Sequence, residues 1–384
     1  MRIRWNTRLV WLGLLLTLVV PPVFGAAPAP LDPGLARTRP GDPTLWFSVE
    51  SLGLEGRGWK DTLSAYDRLP ARAQGKVTDA VWGLSRQSAG LAVRFGTDAR
   101  TIKARWALTS GNLAMPHMPA TGVSGLDLYV REAKGSWRWL AVGQAKSQTN
   151  EVALISGLPP GWREYLLYLP LYNGVSSVEL GVPPENTLAP GSPWGEGARK
   201  PVVFYGTSIT QGGCASRPGM VHVAILGRRL QWPTINLGFS GSGRMEPAMA
   251  ELLSELDPSV FVLDCLPNMK ADEVTQRLAP FVRRLREARP STPIVLVEDR
   301  YYTDGFLVEA RRRHNEANHG ALRAAYDSLR RDGIRNLHYL PADQLLGADG
   351  EGTVDASHPT DLGFLRHADA MERVLKPLLR KASR

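Results

Sequence analysis

The sequence predicts two domains. The first is an all-β sandwich, jelly-roll-like. The second is an α/β domain of three layers, α/β/α, around a parallel sheet. Three observations carry this reading. Apolar and polar residues alternate with period two over much of 45–182, with no convincing helical period. Residues 183–200 read PPENTLAPGSPWGEGARK, a Pro- and Gly-rich break. Beyond it, short apolar runs alternate with helical periods, the pattern of strand–helix repeats that cover a sheet on both faces.

The elements follow in chain order. MRIRWNTRLVWLGLLLTLVVPPVFGAA has the layout of an export signal: a basic head (Arg2, Arg4, Arg8), an apolar run from Leu9 to Val20, and small residues before Ala26. It predicts a signal peptide at 1–25, a secreted or periplasmic protein, and no stable membrane insertion after cleavage. An uncleaved anchor competes with this, but the run is short for ~30 Å of hydrocarbon. Residues 26–42 are Pro- and Ala-rich and read as a flexible lead-in. Residues 43–183 form the sandwich. In it Ile102, Ala104, Trp106 and Leu108 alternate with Lys103, Arg105 and Ala107, and Leu126, Leu128 and Val130 with Asp127, Tyr129 and Arg131. Trp137 to Trp139 and Tyr165 to Leu169 add aromatic strands, and Ser110-Gly111-Asn112 and Asn173-Gly174 mark turns. Residues 184–200 read as a linker.

In 201–384 the strand candidates are 201–205, 234–237, 260–264, 294–297 and 336–340. Met249, Leu252, Leu253 and Leu256 make one helical stripe; Val274, Leu278, Phe281, Val282 and Leu285 make another, interrupted by Pro280. In such sheets the ligand site lies beyond the carboxyl ends of the strands.

The chain of 384 residues has a formal charge of +9, which falls to +6 without the three signal arginines. The remaining cations are spread along helical stretches without interleaved aromatics, so nucleic acid is not expected as a partner. The two cysteines, Cys214 and Cys265, have no CxxC or HxxxH context, so no metal site is expected.

Four short segments carry chemistry. Gly206-Thr207-Ser208 ends the first α/β strand. Ser208 reads equally well as a nucleophile or as a helix N-cap. Near the C-terminus stands Asp355-Ala356-Ser357-His358-Pro359. A carboxylate three residues before a histidine can reach one ring nitrogen and leave the other as a base, which a serine hydroxyl needs to act as a nucleophile. Thr234 to Gly243 reads TINLGFSGSG, where Gly241 can bring a bare N–H to a developing oxyanion. Val260 to Asn268 reads VFVLDCLPN, whose last residue, Asn268, offers a neutral amide donor. Plain turns explain each of these last two segments singly; their order and spacing at successive strand ends do not reduce to turns.

The set Ser208, Gly241, Asn268 and Asp355-x-x-His358 resembles the SGNH hydrolases, also called GDSL esterases and lipases. Thr207 and Pro267 depart from the usual aspartate and glycine of the family. Gly125-Leu126-Asp127-Leu128-Tyr129 resembles the signature of a branch with a preceding β domain. The resemblance covers about Leu45 to Leu379. It implies ester hydrolysis through an acyl-serine, with Ser208, His358 and Asp355 catalytic, the Ser208 and Gly241 N–H groups and the Asn268 amide as oxyanion donors, and no metal or organic cofactor. It also implies an ester substrate such as an O-acylated poly- or oligosaccharide; lipase-type activity and silent glycan binding are the alternatives. Arg217 and Met245, on the loops after the first two strands, are candidate substrate contacts. Cys214 and Cys265 flank these segments, and export would permit a disulfide between them.

Overall fold

A computed structural model describes residues 29–194 and 199–382. The expected signal peptide lies outside the described residues.

The first domain packs two antiparallel sheets. Its strands are β1 (Arg37–Arg39), β2 (Asp42–Ser48), β3 (Leu54–Glu55), β4 (Ala92–Thr97), β5 (Ile102–Leu108), β6 (Leu126–Arg131), β7 (Trp137–Gly143), β8 (Thr149–Ile155), β9 (Arg163–Tyr168), β10 (Val175–Val182) and β11 (Leu188–Pro190). One sheet runs β1-β2-β10-β5-β8 and the other β11-β4-β9-β6-β7. The alternation read in β5 places Ile102, Ala104, Trp106 and Leu108 inside, where they meet Leu128, Tyr165 and Val178. Trp106 is buried, whereas Trp137 is half-buried and Trp139 exposed, so only the first fills the core.

Three expectations need correction. The lead-in carries β1, paired with β2, so it is ordered at least from there. The linker carries β11, which completes a sheet against β4. The sandwich also contains helices, α1 (Asp79–Ser85) and the single turn α2 (Ala120–Val123). Helix α1 starts at Thr78, whose hydroxyl accepts the Val81 N–H, a local cap that the strand pattern around it hides.

The second domain has five parallel strands, β12 (Val202–Gly206), β13 (Thr234–Gly238), β14 (Val260–Asp264), β15 (Ile294–Val297) and β16 (Leu337–Leu340), in the order β13-β12-β14-β15-β16. The helices are α3 (Ser208–Gln211), α4 (His222–Leu230), α5 (Pro247–Glu255), α6 (Ala271–Ala288), α7 (Glu309–Arg331) and α8 (Asp361–Ala382). Strand side chains alternate between two cores. Val202, Phe204 and Val262 face a cluster with α4 and α8. Val203, Tyr205 and Phe261 face one with α5, α6 and α7. Each such burial contributes roughly 1.5–3 kcal/mol.

Both cores continue into the first domain. Ala89, Tyr129, Leu166 and Leu171 join the α4/α8 cluster, and Trp59, Leu69 and Val81 join the other. The domains therefore share apolar interior.

Candidate active site

The register of the sheet sets the site. Gly206 pairs with Gly238 on one side and with Asp264 on the other. Strands β12, β13 and β14 thus end at one level, and the segments carrying Ser208, Gly241 and Asn268 leave the sheet together.

Thr207 is the cap of α3: its hydroxyl accepts the Ile209 N–H at 3.3 Å. Ser208 is the first helical residue, so its own Oγ is not spent on capping. It lies 2.8 Å from His358 Nε2. His358 Nδ1 lies 2.8 Å from Asp355 Oδ2. A carboxylate only accepts, so Nδ1 carries the proton and Nε2 is left to accept the Ser208 hydroxyl. The other Asp355 oxygen accepts the His358 and Ser357 backbone N–H groups at 2.7 and 3.1 Å. Burial pushes this carboxyl up, but those N–H donors and the imidazole outweigh it and hold it below the usual range.

Gly241 is exposed at φ +67°, and a Cβ there would meet nothing within 4 Å. Glycine is favoured by the left-handed backbone, and the space where a side chain would stand is open. Two residues on, Gly243 has φ +71°, and a Cβ would stand 2.0 Å from the Gly206 carbonyl, so that turn tolerates no side chain. Among the described residues the Ser208 and Gly241 N–H groups have no acceptor. Asn268 donates one amide hydrogen to the Ser242 carbonyl at 2.6 Å, which fixes the group and leaves the second hydrogen free.

The His358 loop follows β16, at the sheet edge, and must return across the strand ends to reach Ser208. Arg300, two residues after the Glu298 that follows β15, holds it there. Its Nε donates to the Ser357 carbonyl at 3.1 Å and its Nη2 to the Ser357 hydroxyl. The same guanidinium pairs with Asp299, and both side chains are buried. Thr303 N–H donates to the Ala356 carbonyl at 3.1 Å. Asp361, at the start of α8, accepts from the Ser216 N–H and hydroxyl and ties α8 to the loop after α3.

The sandwich supports the site directly. Tyr172 O–H donates to the Ser208 carbonyl at 3.1 Å, beside the Gly212 and Gly213 N–H groups. Buried Arg68 donates to the Asn236 and Gly238 carbonyls at 3.2 and 2.7 Å, anchoring the end of β13. Burial lowers the pKa of this guanidinium to about 9. His117, exposed on the loop between β5 and α2, has its ring 6.2 Å from that of His358. Arg300, Tyr172, Arg68 and His117 went unread in the sequence, because each meets the site across a long chain separation and no local pattern marks it.

The two candidate substrate contacts, Arg217 and Met245, are otherwise engaged. Arg217 binds Asp127 Oδ2 at 2.9 Å and Tyr129 O–H, and lies over the Trp139 ring. Asp127 also accepts the Gly219 N–H at 2.7 Å and the Trp139 indole N–H at 2.9 Å. The Gly-x-Asp-Leu-Tyr segment is thus a domain clamp, and Arg217 is its counter-charge. Met245 is 1% exposed in the core with α5 and α6, out of reach of a substrate.

The proposed disulfide is also absent: Cys214 and Cys265 are free, buried thiols. Cys265 sits in the α5–α7 core with its Sγ 3.6 Å from the Tyr205 carbonyl. Cys214 lies on the His358 side, where burial and then the Asp355 charge push its thiol up to about 12.

One described group could offer three metal ligands: His222, Asp264 and His367. The Asp264 to His367 separation is 3.9 Å, and the two rings stack at 4.6 Å and 22°. A tetrahedral zinc wants ligand atoms roughly 3.3 Å apart and lone pairs that converge, which stacked rings do not provide.

Residues 199–376 match the GDSL-like lipase/acylhydrolase family, and residues 44–188 match the N-terminus of SGNH-hydrolase-type esterases. A crystal structure from Bacteroides ovatus ATCC 8483, described as a GDSL-like lipase, is 34% identical, with 88% of this chain and 98% of that chain covered and a TM-score of 0.83. The chain belongs to the SGNH (GDSL-type) hydrolase family. As an SGNH hydrolase it is an ester hydrolase, in the branch with the N-terminal β domain. More distant structures share the fold. The salicylyl-acyltransferase SsfX3 of a tetracycline biosynthetic pathway is 20% identical, with 89% and 98% coverage and a TM-score of 0.69. A family two carbohydrate esterase from Clostridium thermocellum is 16% identical, with 76% and 92% coverage and a TM-score of 0.55. No protein with curated annotation matches the sequence. Among the described residues no helix is long and apolar enough to cross a membrane.

Proposed function

We propose that this SGNH hydrolase is an exported serine esterase that removes short acyl groups, acetyl first, from carbohydrate esters. The observation that carries the chemistry is the chain of two 2.8 Å contacts, Ser208 to His358 to Asp355.

His358 Nε2 takes the Ser208 proton as Oγ attacks the ester carbonyl. Asp355 holds the ring in the tautomer this requires and stabilises the imidazolium. The developing oxyanion is met by the Ser208 and Gly241 N–H groups and the free amide hydrogen of Asn268. Each such donor is worth about 10²–10³ in rate. The imidazolium then protonates the leaving alkoxide. Water deacylates Ser208 with the same residues in reversed roles.

The substrate assignment rests on three supports. The C. thermocellum carbohydrate esterase, solved in complex with a cello-oligosaccharide, shares the fold, and an acetyl xylan esterase from Butyrivibrio proteoclasticus shares it too. The site is rimmed by an exposed polar side chain, His117. The N-terminal residues have the layout of a signal peptide.

Ser208→Ala should abolish turnover of a chromogenic acetate ester without changing the unfolding transition; retained turnover would remove Ser208 from the mechanism. Acetate should be hydrolysed faster than octanoate. A preference for the longer chain would replace the carbohydrate reading with a lipase.

A further inference from the structure

The seam between the sandwich and α4 holds a cleft of about 620 Å³ that none of Ser208, Gly241, Asn268, Asp355 and His358 lines. Its walls carry five cationic side chains, Arg131, Lys134, Arg217, Arg228 and Arg229, and no carboxylate. Three of the five have their charge answered from behind the wall: Arg131 by Glu164, Arg217 by Asp127, and Arg229 by Asp369 and Glu372. Arg228 and Lys134 interact with carboxylates only at longer range, Arg228 with Asp127 and Lys134 with Glu132.

The same walls hold three buried donors with nothing to donate to: Arg131 Nε, Trp137 Nε1 and Arg228 Nη1. Unpaired buried donors are uncommon because each forfeits its hydration. Arg228 is held in place meanwhile. Its guanidinium lies 3.9 Å from the Tyr129 ring centroid, and its Nη2 donates to the Gly219 carbonyl at 2.7 Å. A fixed guanidinium with no close ion pair, beside spare N–H groups, is what a planar or tetrahedral oxyanion requires.

We propose that this cleft binds an oxyanion, a carboxylate or a phosphate group, carried on a ligand large enough to fill the seam. A uronic-acid unit of a glycan and a phosphate are the two sources of that chemistry. The proposal does not depend on the acyl-serine mechanism, because the cleft is lined by other residues.

The test is calorimetric titration of the mature protein with trigalacturonate, with inorganic phosphate and with neutral cellotriose, at low and high salt. The structure predicts binding of an anion that weakens as salt rises, and none of cellotriose. The tighter of the two anions identifies the source. Arg228→Met should weaken binding about ten- to a hundredfold, the usual worth of a charged hydrogen bond. Trp137→Phe keeps an aromatic ring against Trp194 and Arg131 and removes the indole N–H, and Lys134→Gln removes one exposed charge. Both should weaken binding several-fold while acetate-ester turnover stays at the wild-type rate. They keep the test open should Arg228→Met fail to fold. The proposal is overturned if neither anion binds at millimolar concentration, if cellotriose binds as well as trigalacturonate, or if Trp137→Phe and Lys134→Gln both bind like wild type.

Discussion

Replacing Arg300 by methionine separates what this residue does for the fold from what it does for the site. Its partner Asp299 is 0% exposed, so Arg300→Met strands a buried carboxylate. Removing one member of a buried pair costs about 3–5 kcal/mol. Burial already pushes the Asp299 carboxyl up, so the defect should be largest at alkaline pH and shrink as acid protonates it. Changing Asp299 to asparagine in the same protein removes the stranded charge and should restore most of the stability. Activity should not return with it. Ser357, next to His358, still lacks both guanidinium contacts. A displacement of ~1 Å at a reacting group costs about 10² in rate. Urea unfolding and initial rates on a chromogenic acetate ester read the two effects apart. Stability recovered with kcat still about a hundredfold low is the expected result. A double variant with wild-type kcat would refute the idea that Arg300 positions the His358 loop.

Three further outcomes follow from other parts of the structure. Gly241→Ala puts a side chain at φ +67° but into open space, so it should cost only about 1–2 kcal/mol of stability. The methyl group beside the N–H should lower kcat by tenfold or more, and an unchanged kcat would take Gly241 out of the oxyanion site. Tyr172→Phe removes one of three hydrogen bonds to the Ser208 carbonyl. Burial keeps this phenol protonated well above its ordinary range, so the loss should lower kcat to a similar degree throughout the working pH range. Asp264 is raised by burial to about 7 from an unfolded value of 3.8. The folded state therefore binds the extra proton between those values, and stability falls as pH rises toward 7. Asp264→Asn keeps the Thr210 contact without the charge, so it should be more stable than wild type at pH about 8 and nearly equal at pH about 4. A pH-independent difference would contradict the sign.

The sequence by itself determined what local pattern can specify. Period two and helical period separated the domains, and β14 and β15 were read to the residue, because a strand buried on both faces reads as a near-continuous apolar run. Asp355 and His358 were legible as a pair because three residues of turn bring them into contact. What stands at the strand ends was legible as chemistry but not as geometry. Ser208 and His358 are 150 positions apart, and only the common level of β12, β13 and β14 and the return of the His358 loop across them set their separation. The tertiary structure alone decided that Arg300 pins that loop, that Tyr172 and Arg68 reach the site from the sandwich, and that Asp127 claims Arg217. It also placed Cys214 and Cys265 in different surroundings, unpaired. The physical reason is one of range: backbone periodicity is fixed within a few residues, whereas the partner of a buried charge or hydroxyl is whichever group packing delivers.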